Sequence, residues 1–183
     1  PDGPATAVFY GKLAPLHGVT TIVEAARRPG TPPIHMIGAG QLSAWLDREL
    51  TSRPVATLRH TPWVPYEQLG SEVAAASISL GVFGTSDKAS RVVPNKVFQA
   101  MAAGRPVVTA DTPGIREALR DGVDGVLVPA GDATALAAAL ADLAADPVLR
   151  ATMGQAAHER FNQIGHPERV ADAFLAALAT LSR

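Results

Sequence analysis

Four residues able to handle an anion crowd into one short segment. In RVVPNKVFQAMAAGRPVVTADTPG, residues 91–114, Arg91 and Lys96 supply positive charge while Asn95 and Gln99 supply amides. Pro94 suits the first position of a helix, where its missing N–H costs nothing. The backbone amides of Asn95 and Lys96 are then open at a helix N-terminus, a ready anion site. Phe98, Met101 and Ala102 follow at i, i+3, i+4 as a core face, and Asn95, Gln99 and Ala103 lie at i, i+4, i+8 on a different one. Such a helix could hold a phosphate at its start and a hydroxylated group one turn on. A plainly solvated Gln99 satisfies the same spacing, because glutamine is a common exposed helix residue.

The surrounding elements say where such a helix would sit. Short apolar runs at residues 7–11, 34–37, 55–58, 78–83, 106–110 and 125–128 read as strands. Helical patterns separate them, at 19–28, 42–50, before residue 76, and from residue 94. Strands that alternate with helices and are nearly continuous in apolar residues predict a parallel sheet covered on both faces. The fold class is α/β, a Rossmann-like, doubly wound, six-stranded sheet with right-handed crossovers. Beyond Pro129 the pattern turns helical, at 132–145, 148–161 and about 168–181. Ligands of such sheets bind outside the carboxyl ends of the strands. The turns that follow strands, with Gly11 and Lys12, Gly38 and Gly40, Pro62 to Pro65, residues 84–95 and Asp111 to Gly114, therefore carry the functional expectation.

Composition narrows the chemistry. The 183 residues carry a net charge of −1, which gives no electrostatic footprint for nucleic acid. With 47% hydrophobic residues the chain can bury a core, and it reads as one domain over 1–183. It has no cysteine, so disulfides and thiolate metal sites are excluded. No apolar run approaches the roughly 18–20 residues of a membrane span. The histidines lack metal-ligand spacing, and no metal is expected. Position 1 is proline rather than methionine, which reads as an excised fragment.

Several segments together resemble the C-terminal, donor-binding domain of GT-B glycosyltransferases, specifically retaining family 4. VFYGKLAPLHGVTTIVEAA is similar to that family's first strand, phosphate loop and helix, and IHMIGAGQ to its second strand and glycine turn. VFQAMAAGRPVVTADTPGIREAL and DGVDGVLVPAGDATALAAAL resemble its most characteristic block. The resemblance implies a nucleotide-diphosphate sugar as donor, UDP- or GDP-linked, with no other cofactor. It implies an acceptor-binding N-terminal domain as partner, against which the last helix, about 167–182, would pack. It also implies a cytoplasmic protein, peripheral at the membrane through that domain.

The departures from the family pattern fall on the ligand-binding positions. Where the family usually has arginine in the first loop and lysine five residues on, both holding the diphosphate, this chain has Lys12 and His17. Lys12 keeps the charge without the bidentate fork, and His17 is charged only if its pKa rises, which a bound diphosphate favours. The family's Glu-x7-Glu motif is absent: Arg91 and Gln99 stand at its two ends, Gln99 where a glutamate binds ribose. VVPNK resembles the Pro-x-Lys entry of part of the family. A neutral hydrogen bond contributes about 0.5–1.5 kcal/mol against about 1.5–3 for a charged one, so the amide weakens a ribose contact without abolishing it.

The resemblance thus makes Gly11, Lys12, His17, Gly38, Gly40, Trp63, Arg91, Asn95, Lys96, Gln99, Thr112 and Gly114 the candidate binding residues. Lys12, His17 and Lys96 would stabilise the leaving diphosphate electrostatically. Trp63 either borders the nucleotide base or packs beneath Pro62 and Pro65. Thr112 and Gly114 would lie near the donor sugar, Glu117 is expected at a helix start, and His35 reads as a satisfied core histidine. The function expected is donor binding for glycosyl transfer with retention. Two alternatives remain: a degenerate, non-catalytic sugar-nucleotide-binding or assembly domain, and a sugar-nucleotide 2-epimerase of the same fold.

Overall fold

A computed structural model describes residues 3–181. Six parallel strands form one sheet in the order β3-β2-β1-β4-β5-β6. They are β1 (Ala7–Tyr10), β2 (Ile34–Ile37), β3 (Leu58–Thr61), β4 (Ile78–Leu80), β5 (Val107–Ala110) and β6 (Gly125–Val128). The chain runs outward from β1 to β3, then crosses back to β4 on the other side of β1. The carboxyl ends of β1 and β4 therefore flank the switch point, where the loops part and leave a crevice.

The β1 alternation shows how both faces are filled. Ala7 and Phe9 join Ile34, Met36 and Leu58 in a core completed by α1 (Val19–Ala26), α2 (Ser43–Ser52) and α7 (Ala133–Ala145). Val8 and Tyr10 point the other way, with Ile37, onto Val73 of α3 (Tyr66–Ala75). On that second side Val107 packs with Val97 and Met101 of α5 (Asn95–Ala102) and Ala157 of α8 (Pro147–Ile164). Two short helices, α4 (Asp87–Ser90) and α6 (Pro113–Ala118), line the rim after β4 and β5. The Asp132 and Asp146 carboxylates accept from the first-turn amides of α7 and α8, so those helices start where a cap is available.

Three boundaries differ from the sequence reading for physical reasons. The third strand is not 55–58 but Leu58–Thr61: Leu58 N–H donates to Val55 O at 3.0 Å, closing a turn before the strand begins. Because β3 lies at the sheet edge, its residues LRHT are half solvated and carry no apolar run to betray it. Regular pairing of β4 stops at Leu80 rather than Phe83. Gly81 to Phe83 stay buried, however, and Val82 O still accepts from Ala110 N at 2.9 Å. Helix α5 starts one residue late. Pro94, at φ −68° and ψ 142°, is its N-cap rather than its first helical residue. The buried stripe is correspondingly Val97, Ala100 and Met101, with Phe98 only partly buried and Ala102 off the core.

The last helix, α9 (Pro167–Leu181), matches the expected segment apart from residue 182, which lies outside the described residues. Val170, Phe174 and Leu175 on it are 54%, 63% and 62% exposed.

The turn after β2 presses directly on the turn after β1. A Cβ on Gly38 would lie 1.9 Å from Gly11 O, and Gly38 itself has φ of +135°. Gly38→Ala should therefore destabilise the chain by about 3 kcal/mol or more, read as a drop in the urea midpoint. A midpoint within error of wild type would mean that the two turns separate at no cost.

Candidate functional site

The loop that leaves β1 builds the floor of the crevice. Gly11 N–H donates to Ile37 O at 2.9 Å and Leu13 N–H to Ala39 O at 3.2 Å, which ties this loop to the β2 turn. A short 3-10 turn (Pro15–His17) follows and ends at Gly18, whose φ of +67° caps α1. The chain leaving β4 closes over it: Phe83 N–H donates to His17 O at 3.2 Å, and a Cβ on Gly84 would meet Leu16 O at 2.2 Å. Three strand exits are thus locked together, backbone to backbone.

Lys96 reaches beneath the β1 exit from α5. Its residue is only 7% exposed, and its Nζ has no hydrogen-bond partner. The amine lies 3.9 Å from the Phe9 ring centroid and 5.9 Å from that of Tyr10. It would be 3.3 Å from a Cβ on Gly11, with the His17 ring 3.9 Å from the same point. Below it the Tyr10 hydroxyl donates to Lys96 O at 2.9 Å, fastening the start of α5 to the end of β1. The cation–π contact contributes about 2 kcal/mol when desolvated, against a penalty of several kcal/mol for burying an unpaired ammonium. Desolvation wins, and the Lys96 amine is pushed down to about 7. His17 is held below its usual value, first by burial and then by the Lys96 charge, against a raising hydrogen bond between its Nδ1 and Lys12 O. Burial pushes the Tyr10 phenol up, so it stays neutral.

Beside this cradle, α3 and α5 frame a cleft of about 310 Å³ lined by Tyr10, Tyr66, Leu69, Val73, Gln99 and Ala103. Gln99 is exposed, as the bland reading required, but it is exposed into this cleft. Asn95 is exposed one turn earlier on the same helix, and Lys12 is exposed on the β1 loop. Trp63 is 74% exposed, so it does not pack beneath Pro62 and Pro65. Tyr66, 77% exposed, stands on the cleft wall.

The remaining candidates have structural partners. Gly40 meets the Leu13 backbone, where a Cβ would sit 2.8 Å away, and Gly38 meets Gly11. Arg91 is exposed and ion-paired to Asp87. Thr112 is buried and caps α6, its Oγ1 accepting from Ile115 N at 3.2 Å. A Cβ on Gly114 would lie 2.9 Å from the Arg91 carbonyl carbon, which fixes α6 against the α4 exit. Glu117 lies in the last turn of α6, not its start; Thr112 does the capping instead. His35 is satisfied as expected, with Nε2 2.9 Å from Thr61 Oγ1 and Nδ1 2.8 Å from Arg59, but it is only half-buried and lies outside the core. Among the described residues no group of three or more His, Cys, Asp or Glu is placed to hold a metal. No helix there is long and apolar enough to cross a membrane.

Phe9, Tyr10 and Tyr66 were not among the candidates read from sequence. A polar tip on an otherwise apolar buried strand, AVFY, was the available signal for Tyr10.

Residues 4–146 match the profile of a family described as glycosyl transferases group 1. The chain belongs to that family. A phosphatidyl-myo-inositol mannosyltransferase from Mycobacterium leprae (strain TN) is 46% identical over 152 residues, covering 79% of this chain and 38% of the relative. Among solved structures, a Staphylococcus aureus TarM mutant in complex with UDP superposes with a TM-score of 0.81 at 15% identity, over 96% of this chain and 36% of that one. The C-terminal domain of a Francisella tularensis group 1 family protein, LpcC, superposes at 0.74 and 16% identity, over 90% and 87%. The group 1 chain described here therefore has the architecture of a GT-B C-terminal domain. It spans 52% or less of the length of several curated relatives it matches.

The depressed Lys96 pKa fixes a sign for the unliganded domain. An unfolded lysine near 10.4 binds its proton over a range where the folded amine, at about 7, has lost it. Stability should therefore rise with pH between about 7 and 9.5. Melting temperatures of wild type and Lys96→Met across that range test this: the rise should be present in the first and absent from the second. Parallel curves would show that Lys96 is not buried uncharged.

Proposed function

We propose that this chain is the donor-binding half of a retaining glycosyltransferase. One observation carries the reading: a buried amine with no partner, packed close beneath Gly11 at the sheet's switch point. A nucleoside diphosphate is the ligand whose charge such a group of basic side chains and helix amides would answer. Its phosphates would lie against Gly11, the first-turn amides of α5 and the Lys96 amine, with Lys12 and His17 completing the positive wall. Its ribose would reach Gln99 one turn along α5, and its base would enter the cleft between Tyr66 and α5. The UDP bound by the TarM structure supports this class of ligand.

The chemistry asked of these residues is modest. Departure of the diphosphate from the sugar places negative charge on the leaving oxygens, and basic groups held close to them and charged in the complex lower the cost of that charge. No side chain has to act as nucleophile for this step. The acceptor would come from an N-terminal domain of the longer protein, consistent with the share of its relatives that the chain spans. The exposed apolar face of α9 would lie against that domain. The family match favours transfer over the epimerase alternative.

The test is calorimetry with UDP and GDP on the wild-type chain and on the Gln99→Ala, Lys96→Ala double variant. Wild type should bind at least one of them, and the double variant should bind it at least tenfold more weakly. Equal affinities would remove both residues from the site; failure of wild type to bind either would leave a non-binding, assembly role.

A further inference from the structure

We infer that binding of a nucleoside diphosphate draws one proton from solvent onto the Lys96 amine, so that the site acquires part of its charge only when the ligand arrives. The inference rests on the donor-binding reading above and adds a protonation step to it.

The geometry sets this up from several sides. The Lys96 amine is surrounded by an aromatic face, a glycine and an imidazole, with no carboxylate among its recorded partners. From β1 the groups facing it are the Phe9 ring and the Tyr10 ring, the latter with its hydroxyl already engaged by Lys96 O. From the β1 loop the facing group is His17, an imidazole held below its usual value by burial and then by the Lys96 charge. Lys12 on the same loop is exposed, and Glu67 lies on the far side of the neighbouring cleft. A cradle of this kind by itself disfavours the ammonium, in line with the lowered basicity of both groups. A dianionic diphosphate end reverses the balance, because an opposite charge within about 4–6 Å favours the charged form.

The proton balance is simple. At about pH 8 the terminal phosphate of a nucleoside diphosphate has already lost its proton, its second pKa being about 6. The ligand neither releases nor needs one. The neutral amine takes one proton from the buffer, becomes an ammonium and donates to a phosphate oxygen. Up to about one proton per ligand should be taken up at that pH, and the dissociation constant should rise by up to about tenfold per pH unit between about 7.5 and 9.

Calorimetry with UDP and with GDP at about pH 8, in HEPES and in Tris, reads this directly, since buffers of different ionisation enthalpy give different heats when protons move. A heat difference matching about one proton is expected for wild type, a near-zero difference for Lys96→Met, and a largely retained difference for His17→Asn. Binding with the same heat in both buffers would overturn the protonation step and leave the donor-binding reading intact. Uptake kept by Lys96→Met but lost by His17→Asn would move the proton to the imidazole and also overturn it. If neither nucleotide binds, the donor-binding reading falls and the inference with it. Should Lys96→Met fail to fold, the wild-type buffer comparison and its pH dependence still decide.

Discussion

The amine of Lys96 against the ring of Phe9 is the contact around which the rest of the crevice is arranged. A buried lysine with no acid beside it is expensive, and a protein keeps one only where the surroundings leave it no exit. Here the exits are closed by the Tyr10 hydroxyl below and by the β1 loop above. That loop is held in turn by the exits of β2 and β4. The strand order puts those three exits side by side. Cost and position thus have one origin: the topology that brings these exits together also buries the amine between them.

The same helix presents two chemically different groups to two adjoining spaces. Lys96 turns inward beneath the β1 exit, and Gln99, almost a turn later, faces the cleft beside Tyr66. Because α5 is anchored on one side by Tyr10 and packed along Val97, Ala100 and Met101 on the other, the spacing between the two groups is rigid. On the donor-binding proposal, charge recognition and hydroxyl recognition would form a single mechanical unit. Arg91, by contrast, spends its guanidinium on Asp87 at the surface, and Thr112 spends its hydroxyl on a cap.

Much of this could be read from residue order. The alternation of apolar runs and helical patterns gave the sheet, five of the six strands in place, and the glycine turns that crowd its carboxyl edge. The edge strand β3 escaped because LRHT is half solvated, so its strand character comes from pairing with Ile34 to Ile37 and not from its own side chains. The phase of α5 was misjudged by one residue for a related reason. A lysine reads as a surface residue until something opposite it is known, and what lies opposite is a strand 86 residues away along the chain. Phe98 then looked like the start of the buried stripe. Glycines tell a similar story: Gly38 was legible as a turn, but its partner, the Gly11 carbonyl, was not.

The packing of Gly38 on Gly11 carries a consequence for how an incoming molecule is received. A phosphate-binding loop that must first organise itself loses conformational entropy on binding, roughly 1–2 kcal/mol for each residue it fixes. With the β1 turn wedged against the β2 turn and Gly84 seated on Leu16, that ordering has already been done during folding. On the donor-binding proposal the receiving surface is thus cast in advance, and this chain would contribute shape rather than motion to the event.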